Sequence, residues 1–202
     1  MLKTRFASVL ALSLVLAGAG AAGAQGTMSS GMDRYGGPSY TGAPDLAAAI
    51  SLVQAGGGAG SFSTAKALTA MVGTDLTTKE VAKLTKQYGK SDVDSFVTVF
   101  SFAVNDAAKL AIAAGVKFPE PSLSGKKLAG QLVADGTTGG TFWTGYMLDH
   151  LVTHKIHNQV MDDIDAKYGA TADANYHKIS NQAMYDLAQA LGAKSVMLAS
   201  FH

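Results

Sequence analysis

At 202 residues, with 48% apolar and 15% charged side chains, the chain has enough apolar surface for one packed domain and too much for a disordered one. The formal net charge of +1, without any basic cluster, excludes a nucleic-acid-binding face. The absence of cysteine excludes disulfides, thiolate metal sites, a lipid-bearing cysteine and covalent CxxCH haem attachment.

Residues 1–24 read as an export signal. Lys3 and Arg5 form a basic start, SVLALSLVLAGAG is an apolar run too short to span a bilayer, and Ala22-Gly23-Ala24 fits cleavage before Gln25. The expected location is therefore secreted or periplasmic. No later segment reads as a membrane span, so no transmembrane segment is expected in the mature chain. Residues 25–44, rich in Gly, Ser and Thr without periodicity, read as a flexible linker. Residues 45–202 form the expected domain.

Helical punctuation fills that domain. Asp45 can cap a helix that ends before Gly56-Gly57-Gly58, and Ser63 a second that ends at Gly73. Thr77-Thr78-Lys79-Glu80 spells a capping box for a helix stopping at Gly89. Ser91 to Ala114 carries a clean stripe through Val93, Phe96, Phe100, Val104 and Ala111. Pro119 and Pro121 break the chain, Ser124 starts a short helix ended by Gly136, and Thr171 starts a last one running to Leu191. No alternating β-branched run or Asn-Gly hairpin appears. The expected fold class is all-α, a single bundle of about six or seven helices, with GGGAG (56–60) and GTTGG (136–140) as flexible connectors. Tyr88-Gly89-x-Ser91 recurs as Tyr168-Gly169-x-Thr171 at an offset of 80. Glycine-stopped, hydroxyl-capped junctions converge on such spellings, which is preferred here over a duplication.

Residues 141–168 hold three of the five histidines and the only tryptophan. Thr141 reads as the cap and Gly169 as the stop of one long helix. At about 100° per residue, Trp143, Tyr146, His150, His157, Met161, Ile164 and Tyr168 share one stripe, with His154 at its edge. Imidazole is the commonest protein ligand for transition metals, so His150, His154 and His157 are the candidate metal ligands. The rise from His150 to His157, about 10 Å, favours a pair, either His150/His154 or His154/His157, completed from another element. His150-Leu-Val-Thr-His154 lacks the glutamate of a zinc-protease helix, and the glycine runs lack the Walker lysine. No reaction is legible, and an enzyme is not expected.

For haem, two histidines one turn apart approach the same porphyrin face, so one would be proximal and Trp143, Tyr146, Met161 and Met184 would line the pocket. Asp149, Asp162, Asp163 and Asp165 read as a solvated acidic end without the spacing of a calcium loop. Counting antiparallel from the turn at 169–170 sets His177 level with residue 163, about 9 Å from His157 and so outside a shared site. The expected function is an exported helical binding protein for haem or a divalent transition metal. The alternative is a ligand-free structural or interaction module at the cell envelope, its histidines simply hydrogen-bonded in the core.

Overall fold

Eight helices carry the chain in the computed structural model, which describes residues 37–199. They are α1 (Leu46–Ala55), α2 (Thr64–Val72), α3 (Thr74–Tyr88), α4 (Lys90–Ala113), α5 (Gly125–Gly136), α6 (Thr144–Leu151), α7 (His154–Tyr168) and α8 (Ala170–Ala190). The expected signal at 1–24 and the linker up to residue 36 lie outside the described residues. The count exceeds the expected six or seven because the long helix of residues 141–168 is two, α6 and α7.

Caps account for the first two starts. The Asp45 carboxylate accepts the Ala48 N–H at 2.9 Å, and the Ser63 hydroxyl accepts that of Lys66 at 3.5 Å. The later starts differ from expectation. Gly73, Gly89 and Gly169 each have φ between 84° and 88°, and each serves as both the stop of one helix and the start of the next. Only glycine holds that conformation without strain, and none of these three starts carries a side-chain cap. Thr77 consequently lies inside α3, its hydroxyl donating to the Gly73 carbonyl at 2.9 Å instead of capping. The corner at Gly73 stands outside the 80-residue echo yet has the same geometry, as convergence predicts.

The Gly136–Gly140 run is no loose connector. Strands β1 (Thr137–Thr138) and β2 (Thr141–Phe142) pair antiparallel across Gly139 and Gly140, whose φ values of 56° and 80° suit a two-residue hairpin turn. Strand β3 (Met197–Leu198) joins β2 in parallel, which places the tail. Thr141 therefore sits in a strand, and α6 begins after Trp143.

The core is one cluster centred on α4 and α8. Phe96, Phe100 and the fully buried Tyr176 meet with ring centroids 5.8–6.5 Å apart. By length and composition α4 is apolar enough to cross a membrane, with a mean hydropathy of 1.4 over its most apolar window. This departs from the expectation that no segment after the signal qualifies. In the bundle the apolar face of α4 packs on α7 and α8. The start of α6 is fixed on α8, since the Thr144 N–H and hydroxyl both donate to the Asn181 side-chain oxygen, at 2.6 and 2.7 Å.

Candidate metal centre

The break between α6 and α7 builds the site. Val152 and Thr153 are extended, and the Thr153 hydroxyl accepts the Ile156 N–H at 3.3 Å, a new cap in mid-stretch. In one continuous helix Asp149 and His157 would stand about 12 Å apart along the axis. Across the break the Asp149 carboxylate lies 2.7 Å from His157 Nδ1. The same carboxylate lies 3.0 Å from His154 Nδ1 through both oxygens, and its Oδ2 accepts the Tyr40 N–H at 3.0 Å. Asp149 and His157 are buried, while the His154 side chain is 33% exposed and opens the cluster to solvent.

A buried carboxylate is costly unless its lone pairs are used, and here three donors use them. If both Nδ1 atoms carry the proton toward Asp149, each imidazole keeps a lone pair on Nε2. That of His154 receives the Asn158 amide at 3.0 Å, whereas that of His157 is buried without a hydrogen-bond partner among the described residues. The ligand atoms of Asp149, His154 and His157 all lie within 4.8 Å of one another. Metal–nitrogen and metal–oxygen bonds of about 2.0–2.2 Å put tetrahedral ligand atoms roughly 3.3–3.6 Å apart, so shifts of about 1 Å or less, opening the Asp149–His157 pair and adjusting the imidazoles, would admit an ion. With His154 33% exposed, solvent can supply a further ligand.

The structure joins His154 and His157 and sets His150 apart. The His150 ring is stacked beneath Tyr40 with centroids 3.4 Å apart, leans on Tyr146 at 5.0 Å, and has Nδ1 4.0 Å from the Asp135 carboxylate. Burial holds the Asp135 carboxyl above the usual range. Residues 37–44 lie against α6 through Tyr40, and the Asp45 N–H bonds the His150 carbonyl. Trp143 is half-buried at the N-cap of α6, and Tyr146 belongs to the His150 stack. The Met161 sulfur sits 3.0 Å from His177 Nε2. Met184 lines a separate apolar cavity with Phe96, Phe100 and Ala183.

Asp149, expected on a solvated acidic end, is instead the buried carboxylate of the cluster. Its neighbours Met147, Leu148 and Leu151, all buried, were the available signal for an acid in an apolar run. His177 also departs from expectation, with its ring centroid 6.4 Å from that of His157. Pivoting on Gly169 itself, His177 is level with Met161, only four residues from His157. Beside His157 lies an apolar cavity of about 40 Å³, walled by Leu52, Val53, Val104, Phe118 and Leu148. It has room for a few waters at most, which need about 10–15 Å³ each.

Fold and site define a class: an all-α bundle with a buried His/Asp cluster able to coordinate a metal ion. Compared with protein-family models, with curated proteins and with solved structures, the chain finds no match in any of the three.

Proposed function

We propose that this is an exported protein that binds a divalent transition metal through Asp149, His154 and His157. The observation that carries the reading is the convergence of one carboxylate and two imidazole ligand atoms within 4.8 Å, two of the three residues buried. A mixed N/N/O set of this kind suits zinc, nickel or copper(II). A bare ion is favoured over haem because the expected wall does not gather at the cluster: Tyr146 leans on His150, Met161 lies on His177 and Met184 lines a separate cavity. Export rests on the basic, apolar and small-residue parts of residues 1–24.

Calorimetric titration of the purified mature chain with Zn(II), Ni(II) and Cu(II) tests the metal reading. The expected result is one ion per chain, with affinity lowered at least tenfold in His154→Gln and His157→Gln and unchanged in His150→Gln. N-terminal sequencing of the exported chain should begin at Gln25.

A second reading, a ligand-free structural module of the cell envelope, is favoured by one observation: Asp149 already has three hydrogen-bond donors without an ion. It predicts no metal uptake, and a loss of stability alone when His157 is truncated.

A further inference from the structure

His157 has two ring nitrogens, and the divalent centre uses only one. Its Nδ1 is held by Asp149 on α6, so Nε2 looks away from that helix. It is buried, in a side chain 2% exposed, and has no hydrogen-bond partner among the described residues. One turn further along α7, the Met161 sulfur lies 3.0 Å from His177 Nε2. Met161 and His177 are both buried, and the His157 and His177 rings stand 6.4 Å apart between centroids, tilted by 40°.

We propose that His157 Nε2, Met161 Sδ and His177 Nε2 form a second, soft ligand set on the α7–α8 seam that takes copper(I).

Thioether sulfur selects copper(I) over the divalent ions, and imidazole tolerates both. An ion at bond lengths of about 2.1 Å to nitrogen and 2.3 Å to sulfur subtends roughly a right angle across the 3.0 Å Met161–His177 separation. Two imidazoles sharing one ion place their centroids about 5–6 Å apart at such bond lengths, so the rings need approach by less than about 1 Å. Asp149 then acts as the carboxylate that accepts the Nδ1 proton and orients the ring, a common outer partner of metal-bound histidine. All three side chains are buried, with the Asp173 carboxylate 3.7 Å from the same His177 Nε2, and a buried position suits a monovalent ion that binds few ligands.

This site stands whether or not a divalent ion binds at Asp149. The two share one imidazole, however. A divalent ion must displace the Nδ1 proton that the copper(I) site leaves in place, so the ions compete for His157.

The test is anaerobic titration of the mature chain with copper(I) against a chromophoric copper(I) chelator, with Zn(II) titration run in parallel. Met161→Leu and His177→Gln are expected to weaken copper(I) at least tenfold and leave Zn(II) unchanged. His154→Gln should do the reverse, and His157→Gln should weaken both. Copper(I) binding that is unaffected by Met161→Leu overturns the proposal, as does the absence of copper(I) binding. Copper(I) binding that depends on Met161, alongside no Zn(II) binding, removes the divalent reading and keeps this one. Should Met161→Leu lose its helical spectrum, X-ray absorption of the copper-loaded wild-type chain decides: a sulfur neighbour supports the site, and a shell of nitrogen and oxygen alone overturns it.

Discussion

Replacing Asp149 with alanine removes the acceptor shared by His157 Nδ1, His154 Nδ1 and the Tyr40 N–H. The donors differ in what they lose. His157 is buried, so its stranded N–H costs about 1–3 kcal/mol, while the part-exposed His154 and the part-buried Tyr40 amide lose less than about 1 kcal/mol each. The sum, about 1–5 kcal/mol, is a large share of the roughly 5–15 kcal/mol that a domain possesses. At about 2–4 °C per kcal/mol for this chain length, Tm should fall by about 2–20 °C. Thermal unfolding followed by circular dichroism reads this directly. Zn(II) at a hundred times its Kd should raise the wild-type stability by about 2.7 kcal/mol and leave Asp149→Ala unmoved. An unchanged or higher Tm in Asp149→Ala without metal refutes the reasoning. It would mean that desolvating the carboxylate costs as much as its hydrogen bonds return.

Glu80, beside Asp186 between α3 and α8, is pushed up to about 8 by burial and then by that neighbouring carboxylate. A raised acid favours the fold while protonated, so stability should decline as pH rises from about 4.5 to about 8 and then level off, by no more than about 2 kcal/mol after solvent screening. Denaturant midpoints across that range should be flatter in Glu80→Gln. Burial and the contact with Asp163 push Asp106 up to about 6, which leaves a residual slope only at the acid end. An alanine methyl at Gly136 would overlap the fully buried Phe142 ring, so Gly136→Ala should cost about 1–3 kcal/mol of overpacking despite better helix propensity, read as a lower urea midpoint. Thr153→Ala removes the cap that starts α7 and should cost about 0.5–2 kcal/mol, with a loss of Zn(II) affinity that Thr153→Ser restores.

Local chemistry made most of the bundle legible. Asp45, Ser63 and the glycine stops act within a few residues of themselves, so their effect can be read without tertiary knowledge. The α6–α7 break is different, because Val152 and Thr153 interrupt a helical stripe that continues in phase on both sides. An adjacent β-branched pair whose second member is a hydroxyl was its only trace. That break decides which histidines meet: of the two pairs left open by the spacing, it joins His154 with His157, beside Asp149 on the neighbouring helix. Asp149 was legible only as an acid in an apolar run, because its contacts with His154 and His157 depend on that break and its third donor, Tyr40, lies 109 residues away. The register of His177 failed by a smaller margin, the difference between a two-residue turn and the one-residue corner at Gly169.

The corner at Gly169 has a mechanical consequence. A hinge of one residue has no slack, so α8 cannot slide along α7 or take up an added residue there without turning about its axis by about 100°. One inserted alanine at this joint would swing His177 away from Met161 and His157 while leaving every side chain of α7 intact. The connection from Ala114 to Ser124 has no such gearing: it is held at Phe118 and through the Ser122 and Leu123 N–H groups on the Ser51 hydroxyl, and can take up an added residue between those points. Chain length at Gly169 is thus as much a part of the α7–α8 seam as the residues that face across it.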